Sequence, residues 1–147
     1  MLVKDKIKEV ENILKGYRDL LIDIDITELK IEEVEEEYRG CEGIEYKETI
    51  GATNKFNSTV ENEVVERERR LLFLKEELEI LKKKKKKVDR LISINELSEV
   101  EKMVIELRYI NKRALRWKEI GYTVHFSEGY CRRVIQQKAI AKMARRI

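Results

Sequence analysis

The residues best equipped for chemistry lie in one stretch, Leu115 to Lys138, with the sequence LRWKEIGYTVHFSEGYCRRVIQQK. It reads as helix, tight turn, helix, with the first helix ending near Gly121 and the turn running through Thr123, Val124, His125 and Phe126. Ser127 follows, and its hydroxyl oxygen suits the unsatisfied N–H groups that open a helix. Ile120, Val124, Phe126, Cys131, Val134 and Ile135 are spaced to meet in one small core. The face left over carries Tyr130, Arg132, Arg133, Gln136 and Lys138. Cations hold phosphates, and Arg, Gln and Tyr reach base edges, so the chemistry on offer is nucleic-acid binding.

Catalysis is not what these residue types suggest. The single histidine, His125, falls in the expected turn, with no metal-ligand spacing, Gly-rich phosphate loop or nucleophile motif around it. Cys131 reads as a small core residue, and Cys41 and Cys131 together as two reduced thiols. Glu32, Glu33, Glu35, Glu36 and Glu37 point around a helix instead of converging on a cation. No enzymatic activity, metal or cofactor is therefore expected.

One helix upstream completes the unit. Ser98-Glu99-Val100-Glu101 is a capping box, and Val100, Met103, Val104, Leu107 and Ile110 follow at helical spacing as one buried stripe. Residues 98–147 thus read as three helices, the last two a helix-turn-helix. LSEVEKMVIELRYI, then WKEIG, an apolar turn and Ser-x-x-x-Cys-Arg-Arg, resembles region 4 of bacterial sigma factors over about the last third of the chain. That resemblance implies base contacts from Glu128, Tyr130, Arg133 and Gln136. It implies phosphate contacts from Lys112, Arg113, Arg116, Lys118, Arg132 and Lys138, with Ser127 at the head of the reading helix. His125 stands where the family has Gly or Asp, and Gly129 sits early in the reading helix, where Gly weakens helicity by up to about 1 kcal/mol relative to Ala. After Val134 the apolar register slips by about one residue, so Ile140 and Met143 do not continue the stripe.

The front of the chain is of another kind. Of 147 residues 41% are charged and none is proline, a composition that favours long helices. Val3, Ile7, Val10, Leu14, Tyr17, Leu21 and Ile24 alternate steps of four and three, the seam of a coiled coil. Thr27 restarts the helix after a local irregularity, and Ile31, Val34 and Tyr38 extend the line. Gly40 to Asn57 breaks it with three glycines and two asparagines. Ser58-Thr59-Val60-Glu61 is a second capping box, opening a helix with seam Val60, Val64, Arg67, Leu71, Leu74, Leu78, Leu81, Lys85, Val88 and Ile92. The lysines from Lys82 to Lys87 encircle that helix and read mainly as a solvated run. An antiparallel hairpin over 1–95, with its loop at about 40–57, satisfies these seams; two copies pairing as a homodimer satisfy them equally.

The expected architecture is all-α: a long coiled-coil hairpin over 1–95, then a three-helix, sigma region 4-like helix-turn-helix over 96–147. Residues 112–147 carry ten Lys/Arg and two acids, a net +8 that leaves −5 for the rest. Double-stranded DNA should meet the basic end. In layout, with GIEYKETIGATNKFNSTVENEV between the long helices, the chain also resembles the RinA- and ArpU-type phage regulators. That resemblance implies a late-gene activator acting with host RNA polymerase. The alternative is an adaptor whose coiled coil and sigma-like domain dock on polymerase or another protein without reading DNA. No apolar run reaches membrane-spanning length, and the first residues lack a signal-peptide core, so a cytoplasmic location is expected.

Overall fold

The structure, a computed structural model, describes residues 2–42 and 54–147, with side chains over 3–37 and 61–147. It is all-helical, with no strand among the described residues. Helix α1 is Leu2–Lys15, α2 Tyr17–Glu42 and α3 Asn54–Ile92. Helix α4 covers residues 99–110, its last turn widening to a π-helical Glu106–Ile110. Helix α5 is Trp117–Val124. Helix α6 covers residues 128–144: Glu128–Tyr130, a π-helical Cys131–Ile135, and Gln136–Ala144 run on without a break. The expected break at about 40–57 lies mostly outside the described residues. Helix α3 begins at Asn54, so the capping box at Ser58 falls inside the helix and does not open it.

The chain forms two compact units, residues 1–22 with 83–147 and residues 23–82. The first does not follow the expected division at 95/96. Its main core joins Val10, Leu14 and Tyr17 at the front of the chain to Val88, Leu91 and Ile92 of α3, Ile105 and Tyr109 of α4, and Ala139, Ile140 and Met143 of α6. The reason is the second half of α6. An α-helix closes each turn with a bond from residue i+4 to i, whereas Gln136 N–H reaches back five residues to the Cys131 carbonyl. One extra residue is absorbed there, and every later side chain is rotated by about 100°. This is the register slip after Val134. It turns Ile140 and Met143 fully inward, onto α1 and α3, so residues 96–147 alone would leave that face bare.

A second cluster gathers Val104, Ile120, Val124, Cys131 and Ile135, with Val100, Leu107, Leu115 and Trp117 against it. Ser98 caps α4 as expected, its Oγ accepting from Glu101 N–H at 3.2 Å. The Glu101 carboxylate does not complete a capping box but accepts from Lys142 Nζ at 2.7 Å. The buried stripe of α4 differs from expectation at Met103, which is 44% exposed, and at Ile105 and Tyr109, which are buried. Met103 and Ile105 precede the π turn at the end of α4, where Asn111 N–H bonds to the Glu106 carbonyl at 2.8 Å.

In the unit of residues 23–82, α2 is helical throughout, so the strand-like alternation of Ile22, Ile24 and Ile26 is not expressed. Ile24, Thr27 and Val34 are buried, and Thr27 Oγ1 donates to the Asp23 carbonyl at 2.7 Å without interrupting the helix. Along α3, Val64, Arg67, Leu71, Leu74, Leu78 and Leu81 are half-buried and the described positions between them are exposed. Those are the expected seam positions from Val64 onward. Glu28–Lys82 at 3.6 Å and Glu37–Arg70 at 3.7 Å pair the two helices in antiparallel order. Half-buried leucines contribute about 1 kcal/mol each, roughly half the full-burial value. At the front of the chain, Val3 is 66% exposed and falls off the expected seam.

Candidate nucleic-acid interface

Two residues set the angle between α5 and α6. His125 has φ 63° and ψ 36°, a left-handed conformation that ends α5 and turns the chain. Its N–H, and that of Phe126 at 3.1 Å, both reach the Gly121 carbonyl. Gly121 is fixed by close approach: a Cβ there would lie 2.7 Å from the Phe126 carbonyl oxygen and 3.3 Å from Glu128 N. Helix α5 continues to Val124, past its expected end at Gly121, because the glycine sits inside the last turn. Ser127 then caps α6 as expected, extended at φ −65° and ψ 152°, with Oγ accepting from Tyr130 N–H at 3.2 Å.

With Cys131 and Ile135 buried beneath, the start of α6 leaves Glu128, Tyr130, Arg132 and Arg133 exposed. Burial pushes the Cys131 thiol up from its ordinary pKa, which disfavours the thiolate a nucleophile needs. Lys138 is exposed further along, and Lys112, Arg113, Arg116 and Lys118 are exposed before and on α5. Arg113 is ion-paired with Glu119 at 3.0 Å, an exposed pair that a phosphate could replace at little cost.

Two expected positions are corrected. Gln136 is 8% exposed and donates to the buried Tyr109 hydroxyl, so it supports the core and faces no ligand. The π turn that rotates it inward brings Gln137 to the surface in its place. Phe126, expected in the core, is 44% exposed and stacks on Tyr130 with ring centroids 5.4 Å apart. Tyr122, 78% exposed, joins it with Lys118, Gly121 and Glu128 around an open groove of about 260 Å³. The one-residue slip in the sequence was the available signal for Gln137; nothing in the sequence separated Phe126 from the apolar turn residues beside it.

Arg18 was also missed. From α2 its Nε donates to the Asn111 carbonyl at 2.7 Å and its NH2 to the Arg108 carbonyl at 2.8 Å, satisfying acceptors where α4 ends. Arg108 in turn donates to the Leu115 carbonyl at 2.9 Å and lies 4.8 Å over the Trp117 ring. These contacts hold the segment that presents Lys112, Arg113 and Arg116.

The two compact units differ more sharply in charge than residues 112–147 and the rest of the chain do. Residues 1–22 with 83–147 carry 23 Lys/Arg against 11 Asp/Glu, a net +12; residues 23–82 carry 9 against 18, a net −9. Among the described residues no helix is long and apolar enough to cross a membrane.

The fold and this site define an all-helical protein with an exposed cationic helix on a strongly basic unit. The chain belongs to the family described as "Protein of unknown function (DUF722)", whose model matches residues 4–145. No curated protein and no solved structure matches it.

Proposed function

We propose that this protein is a sequence-directed DNA-binding regulator of transcription, not an enzyme, and that α5, the His125–Phe126 turn and α6 act as its helix-turn-helix. The observation that carries the reading is the capped start of α6, with Cys131 and Ile135 inward and Arg132 and Arg133 outward on the +12 unit. Arg133 pairs with guanine in the major groove while Arg132 holds the backbone. Tyr130, Glu128 and Gln137 flank Arg133, and Lys112, Arg116, Lys118 and Lys138 hold phosphates. The antiparallel α2 and α3 act as a coiled-coil arm, which also serves a homodimer. The resemblance to sigma region 4 and to RinA- and ArpU-type regulators supports a cytoplasmic phage late-gene activator that works beside host RNA polymerase.

The test is selection of sites from a random duplex library. Arg133→Ala should relax one base pair, about 1–3 kcal/mol of discrimination, whereas Arg132→Ala should weaken all sites alike. These helix-turn-helix contacts by themselves should make log K fall with log salt at a slope of about −4 to −5. If neither variant changes the recovered motif, α6 does not read bases. A second reading then gains, favoured by Leu72, Phe73 and Ile80 of α3, which are 60%, 65% and 56% exposed. Such apolar side chains suit a protein partner, and the chain would be an adaptor.

A further inference from the structure

Five of the six lysines from Lys82 to Lys87 have distinct surroundings on α3, and Lys84 alone is simply exposed. Lys82 pairs with Glu28 at 3.6 Å and Lys85 with Asp89 at 3.0 Å. Lys83, Lys86, Lys87 and Arg90 line another face. With Leu91, Ile94 and Arg146 they border an open groove of about 390 Å³. Among the described residues the acid beside this group is Glu96, ion-paired with Arg146, and the hydrogen bond from Arg146 holds the Glu96 carboxyl below its ordinary range. The other four cations have no acidic partner among the described residues.

That row is unfavourable as it stands. Lys83 is three and four residues from Lys86 and Lys87, and Arg90 is four and three from the same two. Like charges at these spacings repel on a helix. A row of this kind is relieved by a polyanion, which exchanges many small counterions for one ligand.

We propose that this groove is a second nucleic-acid contact, in which Lys83, Lys86, Lys87, Arg90 and Arg146 hold the phosphate backbone away from the bases read by the start of α6. It rests on the DNA-binding reading above. Lys83 to Arg90 extends about 10 Å along the helix, the axial length of about three nucleotides at 3.4 Å each. Lysines dominate, and compact charges on flexible stems suit a backbone without sequence. Leu91 on the groove floor is 7% exposed and Ile94 is part-buried, so the cations form the accessible rim above them. Arg146 lies beyond the far end of α6 from Tyr130, about 20–25 Å by helical rise, so the contact falls outside the base-read step.

The experiment uses the full chain with Lys83, Lys86, Lys87 and Arg90 all changed to Gln. The neutral side chains remove repulsion, so the variant should melt no lower than the wild type. Its salt slope on the selected site should be shallower by about 3, which shrinks the affinity loss between about 50 and 200 mM salt by about 60-fold. The motif it recovers from a random library should be unchanged. An unaltered slope, with wild-type binding intact and Arg133→Ala still changing the motif, would overturn the groove and leave the DNA reading standing. A wild type that binds no DNA at any salt would overturn both. An unaltered slope together with lost binding to a poly-glutamate probe would give the groove to an acidic protein and likewise overturn the proposal.

Discussion

Gly121 and Gly129 sit eight residues apart around the same turn, and the structure gives them opposite roles. Replacing either by Ala should gain up to about 1 kcal/mol of helix propensity. At Gly129 nothing lies within 4 Å of the added Cβ, so that gain should appear in full. At Gly121 the Cβ would stand 2.7 Å from a backbone oxygen, several tenths of an ångström inside normal contact. The obstacle is the Phe126 carbonyl, and the turn is tied to the Gly121 carbonyl by two N–H groups, so no side chain can swing aside. Overpacking costs about 1–3 kcal/mol, and here it falls in the upper part of that range, about 2–3, because backbone must move, so the net for Gly121→Ala is a loss of about 1–2 kcal/mol. At about 2–4 °C per kcal/mol, melting should fall by about 2–8 °C for Gly121→Ala and rise by about 2–4 °C for Gly129→Ala. Trp117, the single tryptophan, lies on the same helix as Gly121 and reports this unit by its fluorescence. A Gly121→Ala protein as stable as the wild type would refute the close approach of α5 to the turn, and with it the arrangement that presents α6.

Three further outcomes follow from other contacts. Tyr17 donates to Asp89 at 2.8 Å, and burial, then that bond, push its pKa up to about 12 from 10.0. The unfolded chain loses this proton first, so the contribution is whole below about pH 10 and is lost between 10 and 12, by up to about 1.4 kcal/mol per pH unit. Urea midpoints at about pH 9 and 11 should differ less in Tyr17→Phe than in the wild type. Gln136→Ala should cost about 1–2 kcal/mol by stranding the Tyr109 hydroxyl and leave the DNA motif alone, while Gln137→Ala should do the reverse; chemical melts and site selection on the two variants decide. Lys142→Met leaves the Glu101 carboxylate, 8% exposed, without its cation, which should cost about 1–3 kcal/mol and be largely restored by adding Glu101→Gln, as a double-mutant cycle would measure.

The sequence by itself determined the local structure: long helices from a proline-free, heptad-spaced chain, and caps at Ser98 and Ser127, because these depend on nearest neighbours and on periods of three and four. It also carried the trace of the π turn, as a slip after Val134, but not its meaning. Whether a misplaced Ile140 is a loose end or a buried anchor depends on what lies opposite. Here that is Val10, Leu14 and Val88, residues distant along the chain. Only the tertiary structure could therefore decide that both ends of the chain share one core. The same packing decided that Gln136 turns in and Gln137 out, and that Phe126 is exposed. The lysine run is the clearest case. On an isolated helix six lysines are equivalent, and it is Asp89 beside Lys85, and the groove that Lys83, Lys86 and Lys87 share with Arg146, that tell them apart.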